Sequence, residues 1–242
     1  MINFKNKKVL ISGGSSGIGK AIVENFLKND AFVVNLDKKE PDIIHENYFY
    51  KNFNFANLDQ IEEVINNLKI DFDILVNNVG IVHKANMLET TVSEFKNVFD
   101  INFMSAFALT QCLSNNFIKN KKSGKIVNIS SINAKVGISS QFSYAISKAA
   151  INHLTRLSAI TLAEHNILVN AICPGSIKTE ILKGAYKDAD SYVKARTPLN
   201  RWGDPFEIAN LALFLASDLN TYMTGECINI DGGRLSLNFF KK

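Results

Sequence analysis

At 242 residues, with 46% hydrophobic and 21% charged side chains, the chain has the composition of one ordinary globular domain, which excludes disorder, collagen-like repetition and a membrane-embedded protein. The formal charge is only +4, and the lysines are spread along the chain rather than gathered into an arm, so nucleic acid is not an expected partner. Cys112, Cys173 and Cys227 form no CxxC pair, and His45, His83, His153 and His165 show no HExxH spacing, so neither a disulfide framework nor a metal site is expected.

The chain opens with Lys5, Lys7 and Lys8, but the apolar run behind them stops at Ser12-Gly13-Gly14, too soon for a secretory segment. The richest later run, Leu211 to Ala216, is too short to span a bilayer, and a soluble cytoplasmic protein with no membrane partner is expected. Short β-branched or aliphatic runs alternate with segments of helical periodicity, and strands are predicted at about 8–12, 31–36, 48–53, 73–77, 124–130, 167–172 and 226–230. Helices are predicted to begin near Gly17, Leu58, Val92, Phe142 and Pro205, the last with an Asp204-Pro205 start and Glu207 in its first turn. That alternation predicts one α/β domain over residues 1–242, a doubly wound, seven-stranded parallel sheet flanked by helices. Between about 178 and 203 the periodicity weakens, and an irregular or partly helical substrate lid is expected there.

The first strand, Val9-Leu10-Ile11, runs into Ser12-Gly13-Gly14-Ser15-Ser16-Gly17-Ile18-Gly19 and then into a helix carrying Ala21, Ile22, Val23 and Phe26. Glycines in a strand-to-helix turn let backbone N–H groups and the positive helix end approach a pyrophosphate. The spacing is GxxxGxG, a weak signal alone, and its position after the first strand strengthens it. Asp37, closing the second strand, lies where a carboxylate meets the ribose hydroxyls of an adenosine, which favours NAD over NADP because a 2′-phosphate would meet a like charge. Lys38 and Lys39 argue the other way. A second turn, Asn77-Asn78-Val79-Gly80, follows the strand Ile74-Leu75-Val76 and combines side-chain hydrogen bonding with a close backbone approach at Gly80.

Further along, the strand Ile126-Val127-Asn128-Ile129 ends in Ser130-Ser131, and the helix that soon follows carries Tyr144 and Lys148 at i and i+4 on one face. An ammonium about 4 Å from a phenol, at an effective dielectric near 20, attracts the phenolate by up to roughly 4 kcal/mol, enough to bring a tyrosine toward the working pH. Tyr144 is thus a candidate proton-transferring group.

Over almost its full length the chain resembles the short-chain dehydrogenase/reductase family, through Ser12 to Gly19, Asn77-Asn78-Val79-Gly80, Tyr144-Ala145-Ile146-Ser147-Lys148 and Pro174-Gly175. The resemblance implies a Rossmann-type fold and a catalytic tetrad of Asn102, Ser131, Tyr144 and Lys148, with Ser131 preferred to Ser130 because the family's serine stands thirteen places before its tyrosine. It implies that Ser131 positions the substrate oxygen, Tyr144 moves its proton, Lys148 binds the nicotinamide ribose and lowers the phenol pKa, and Asn102 holds a water for proton relay. Cofactor contacts are implied at Gly13, Ser15, Ser16, Gly17, Ile18, Gly19, Asp37, Asn54, Asn78, Gly80, Tyr144, Lys148, Pro174, Gly175, Ile177 and Thr179.

Departures from the family pattern are Ser12 for threonine, Val79 for alanine, Asn54 for aspartate, and a short 37–48 segment in which the usual helix is reduced or missing. The expected reaction is hydride transfer between NAD(H) and a secondary alcohol or ketone. The alternatives are an NADPH-dependent 3-oxoacyl-acyl-carrier-protein reductase and a non-catalytic dinucleotide sensor. Homo-oligomers, dimer or tetramer, are implied by the family. Lys135, Lys183, Lys187 and Lys194 near the expected site suggest an anionic substrate.

Overall fold

The computed structural model describes residues 2–179 and 189–237. Seven strands, β1 (Lys8–Ser12), β2 (Phe32–Asp37), β3 (Tyr48–Asn52), β4 (Ile74–Asn77), β5 (Gly124–Ile129), β6 (Ile167–Pro174) and β7 (Cys227–Ile230), form one sheet in the order β3-β2-β1-β4-β5-β6-β7. Every pairing is parallel. Parallel neighbours need crossovers, and these are supplied by α1 (Gly17–Lys28), α2 (Ile61–Leu68), α3 (Val92–Phe99), α4 (Ser105–Lys119), α5 (Phe142–Leu162) and α7 (Pro205–Ala216), with α6 (Ala189–Arg196) lying between β6 and α7.

Both faces of the inner sheet are covered, which is why its inner strands read as continuous aliphatic runs rather than as alternating ones. Val9 and Ile11 face Ile22, Val23 and Phe26 of α1 and Ile208, Ala212 and Leu213 of α7. Leu10, between them, faces the opposite layer with Ile61 and Ile65 of α2, Leu109, Leu113 and Phe117 of α4, and Leu162 of α5. Because the chain winds outward from β1 to β3 and then returns to start β4 on the other side of β1, a crevice opens beyond the carboxyl ends of β1 and β4.

No helix forms in residues 38–47, between β2 and β3. The strand predicted at 167–172 runs on to Pro174, since Cys173 and Pro174 still pair with Asn229 and Ile230 of β7. Helix α7 starts as its sequence predicts, with Pro205 in the first turn and a reciprocal cap between Asp204 and Glu207. Of the segment expected to act as a lid, 180–188 lies outside the described residues, and α6 is its described helical part. The two ends of that excursion are tied together, Lys178 N–H donating to the Gly203 carbonyl at 2.9 Å and Gly203 N–H to the Ser176 carbonyl at 2.9 Å. Among the described residues no helix is long and apolar enough to cross a membrane.

Candidate active site

The glycine turn after β1 is held from three sides. Asn35 of β2 accepts the Gly14 N–H at 2.8 Å through Oδ1 and donates through Nδ2 to Ser15 Oγ at 3.0 Å. Asp37 accepts the Ser15 N–H at 3.0 Å through Oδ2. Asn78 donates to the Gly13 carbonyl at 2.7 Å, while Ser12 Oγ accepts the N–H groups of Asn78 and Val79 at 3.1 and 3.2 Å. The serine at position 12 therefore keeps the hydroxyl bonds that stitch the β1 and β4 ends together.

Two glycines are sterically required. Gly13 has φ +72°, and a Cβ on Gly19 would lie 2.0 Å from the Gly13 carbonyl oxygen and 2.4 Å from Asn78 Nδ2. Ser16, at the N-cap of α1, makes no side-chain capping bond, so the first turn of the helix presents backbone N–H groups at the turn.

On the other side of the crevice β5 delivers Ser130 and Ser131, and α5 brings Tyr144 and Lys148 over them. Ser130 Oγ donates to the Lys148 carbonyl at 3.0 Å and so serves the helix. Ser131 Oγ accepts the Asn133 N–H at 3.1 Å and is hydrogen-bonded with the Tyr144 hydroxyl. Lys148 Nζ donates to the Ile129 carbonyl at 2.8 Å and lies 5.8 Å from the centre of the Tyr144 ring.

Asn102 sits in a single π-helical turn, Asp100–Met104, inserted between α3 and α4. Its amide is fully engaged: Oδ1 accepts the Ile81 N–H at 2.8 Å, and Nδ2 donates to the Ile81 carbonyl and to Ser147 Oγ, both at 3.0 Å. Asn102 thus clamps the chain just past Gly80 to the helix that carries Tyr144 and Lys148. A Cβ at Gly80 would stand 3.4 Å from both Asn102 Oδ1 and Lys148 Nζ.

Burial dominates the protonation behaviour of this corner. It pushes the Tyr144 phenol above its ordinary value, with the Ser131 hydrogen bond acting the other way. Burial also pushes Lys148 down, to about 8. Where the sequence predicts a phenol drawn down by its lysine, burial pushes it up, and the Lys148 ammonium donates to the Ile129 carbonyl.

These groups share one cavity of about 440 Å³, a size suited to a small-molecule ligand. It runs from Asp37 past the glycine turn and Gly80 to Ser131, Tyr144 and Pro174-Gly175. Gly13, Ser16, Gly17, Ile18, Gly19, Asn54, Asn78, Lys148, Ile177 and Thr179 line it as well. Ser15 does not; its hydroxyl is buried against Asn35. Thr179 faces Gly17 across the groove, its Cγ2 3.4 Å from where a Gly17 Cβ would be. Asn54 lines the groove while its Oδ1 accepts the Ala56 N–H at 3.1 Å.

Of the lysines expected to frame the site, the two that are described, Lys135 and Lys194, do not line it. Lys135 Nζ is spent on the Cys227 carbonyl at 2.8 Å and Asn229 Oδ1 at 2.7 Å, Lys194 lies 3.7 Å from Asp190, and Lys183 and Lys187 fall outside the described residues. Sequence reasoning passed over Lys84, Gln141, Arg196, Trp202 and Arg234, which line the cavity. Only the Gly232-Gly233 pair before Arg234 hinted at a built turn there.

The groove accepts a dinucleotide on its own geometry: a turn whose glycines tolerate no Cβ, an open helix start, a carboxylate at one end and a phenol at the other. A family model described as enoyl-(acyl carrier protein) reductase matches residues 13–234. The chain is 36% identical over 244 residues to a 3-oxoacyl-acyl-carrier-protein reductase of Thermotoga maritima, covering 96% of this chain and 99% of that one. A 4-hydroxyisoleucine dehydrogenase solved with NADH has a TM-score of 0.92 at 30% identity over 96% of this chain and 100% of the other. A putative 2-deoxy-D-gluconate 3-dehydrogenase from Agrobacterium tumefaciens solved with NADP has a TM-score of 0.91 at 32% identity, covering 97% and 98%.

Proposed function

Since the chain belongs to the short-chain dehydrogenase/reductase family, an NAD(P)-dependent group of oxidoreductases acting on alcohols and ketones, we propose that Tyr144 is its general acid/base and NAD(H) its preferred cofactor. The observation that carries the catalytic part is the meeting of Tyr144, Ser131 and Lys148 beside Gly80 in one groove.

Pro174, Gly175 and Ile177, which line the groove, would hold a nicotinamide ring, and that ring would supply or take the hydride when bound. Ser131 and Tyr144 hydroxyls together bind the substrate oxygen. In reduction Tyr144 gives its proton to that oxygen, and its raised phenol arrives at neutral pH already carrying the proton. Lys148 then stabilises the phenolate and returns a proton; an amine held at about 8 is charged at neutral pH yet gives up its proton with little cost. Asn102 acts by positioning. Its side-chain amide is committed to Ile81 and Ser147, so a relay water would use another group, such as its main-chain carbonyl.

NAD is favoured by the Asp37 carboxylate, which lines the groove and is fixed by the Ser15 and Lys39 N–H groups. Asp37→Asn keeps an acceptor for the turn and removes the charge. The ratio of kcat/KM for NAD to that for NADP should fall about 10- to 100-fold, the worth of one charge-assisted hydrogen bond and one relieved like-charge contact. An unchanged ratio from steady-state kinetics with both cofactors would remove Asp37 from cofactor choice.

The general test is NADH formation, followed by absorbance, across a panel of secondary alcohols; dinucleotide binding with no turnover would point to the sensor instead. A second reading, reduction of a 3-oxoacyl thioester on an acyl carrier protein, is favoured by the 36% identity to the Thermotoga reductase. Acetoacetyl thioester with NADPH tests it. Phe107 and Ile118 on α4 and Leu157 and Ile160 on α5 leave apolar surface exposed, which supports a homo-oligomer, dimer or tetramer. Three free cysteines suit a reducing, cytoplasmic setting.

A further inference from the structure

The order of the sheet gives the groove a direction. Asp37 ends β2 near one edge, Ser131 follows β5, and β7 forms the opposite edge, so a dinucleotide reaching from Asp37 to Tyr144 leaves the β6–β7 end for the substrate. That end carries a cation on a rigid mount. Arg234 follows Gly232 and Gly233, both left-handed at φ +63° and +87°. Asp231 fastens the turn by accepting the N–H groups of Gly233 and Leu235 at 2.9 and 2.8 Å.

The mount is packed on both sides. A Cβ on Gly175 would lie 2.7 Å from Asp231 Cα, and one on Gly232 would lie 2.6 Å from Thr197 Cγ2. Leu199 N–H donates to the Gly232 carbonyl at 3.1 Å. The turn is thus wedged between the Pro174-Gly175 strap and the chain leaving α6, and its arginine lines the cavity half-buried. No acceptor among the described residues engages the Arg234 guanidinium, whereas Arg201 nearby is held by both Glu207 carboxylate oxygens at 2.8 and 2.7 Å. The substrate end also holds Lys84 and Arg196, and Asp37, at the far end, is the one acidic residue among the described lining.

A guanidinium carried on a braced turn into a partly desolvated cleft, with no carboxylate to neutralise it, is a site for an anion presenting two oxygens in a plane. We propose that Arg234 binds the carboxylate of a small hydroxy- or oxo-acid, holding the remote end of the substrate while its reacting carbon lies at Tyr144 and Ser131. This rests on the oxidoreductase reading above and adds the substrate class to it. The anion preference expected from nearby lysines is thereby assigned, among the described residues, to an arginine on a different element.

The test uses the whole chain saturated with NADH, so that a hydroxy-acid binds without being oxidised, and two probes of equal length: D-gluconate, and D-glucitol, which has a hydroxymethyl group in place of the carboxylate. Isothermal titration should show gluconate binding at least about 30-fold more tightly, the usual scale for a charge-assisted hydrogen bond. Arg234→Gln should collapse that ratio toward one, and Arg234→Lys should recover part of it, since a point charge lacks the planar fork. Equal binding of the two probes to the wild-type protein, no binding of gluconate, or a ratio that survives Arg234→Gln would each overturn the assignment. NADH and NADPH titration of the same samples separates the two levels. Failure to bind either NADH or NADPH brings down the oxidoreductase reading itself, whereas dinucleotide binding without a gluconate preference brings down Arg234 alone.

Discussion

Tyr144→Phe is expected to lower kcat by about 10³-fold in both directions while leaving dinucleotide affinity within about twofold, because it deletes the group proposed to move the proton and little else. The ring keeps its volume and its place in the first turn of α5, so packing is preserved. The hydroxyl lost is one of the pair proposed to grip the substrate oxygen, and Ser131 retains its bond from the Asn133 N–H. Folding stability should barely change, since Tyr144 is only partly buried and the substitution removes a single hydroxyl that faces the cavity. Steady-state turnover, fluorescence titration with NADH and a thermal melt on the same preparation check the three parts. Turnover within threefold of wild type would assign the proton transfer to another group.

The centre of the sheet was legible because its strands are buried on two faces and so read as uninterrupted aliphatic runs, as in Val9-Leu10-Ile11 and Leu75-Val76. The glycine turn was legible for a steric reason: a residue that would place its Cβ 2.0 Å from a carbonyl oxygen can only be glycine. The π-helical turn at Asp100–Met104 was not. Helical periodicity passes through it unbroken, and the bonds that fix it, from Asn102 to Ile81 and Ser147, join segments 21 and 45 residues away.

The same limit explains Lys135 and Arg234. In sequence both are cations near a motif; only the pairing of β6 with β7 directs Lys135 to the Cys227 carbonyl and sets Arg234 over the groove. Local pattern specifies which residues lie at strand ends. It does not specify which strand ends meet.

Lys148→Met separates catalysis from stability more sharply than any other change at this site. Turnover should fall at least about 100-fold, because the phenolate loses both its counter-charge and its proton source. Stability should move differently. Lys148 is 4% exposed and its ammonium is held at about 8, below the ordinary 10.5. Below pH 8 both folded and unfolded chains carry the charge, and the fold bears the whole burial cost, on the order of 3 kcal/mol.

Between about pH 8 and 10.5 the folded chain sheds the proton first, the unfolded chain binds more protons, and the stability of the wild-type protein should therefore climb with pH. Methionine removes that climb. At pH 7 it also removes the burial cost but strands the Ile129 carbonyl, which loses the donor at 2.8 Å, a penalty of about 1–3 kcal/mol. The two nearly cancel, so melting temperatures at neutral pH should agree within a few degrees while activity is almost gone. Urea unfolding from pH 7 to 10.5 reads the difference between the two proteins directly. A climb that persists in the variant would show that another group supplies it, and a variant that keeps its turnover would leave the buried amine with a structural role only.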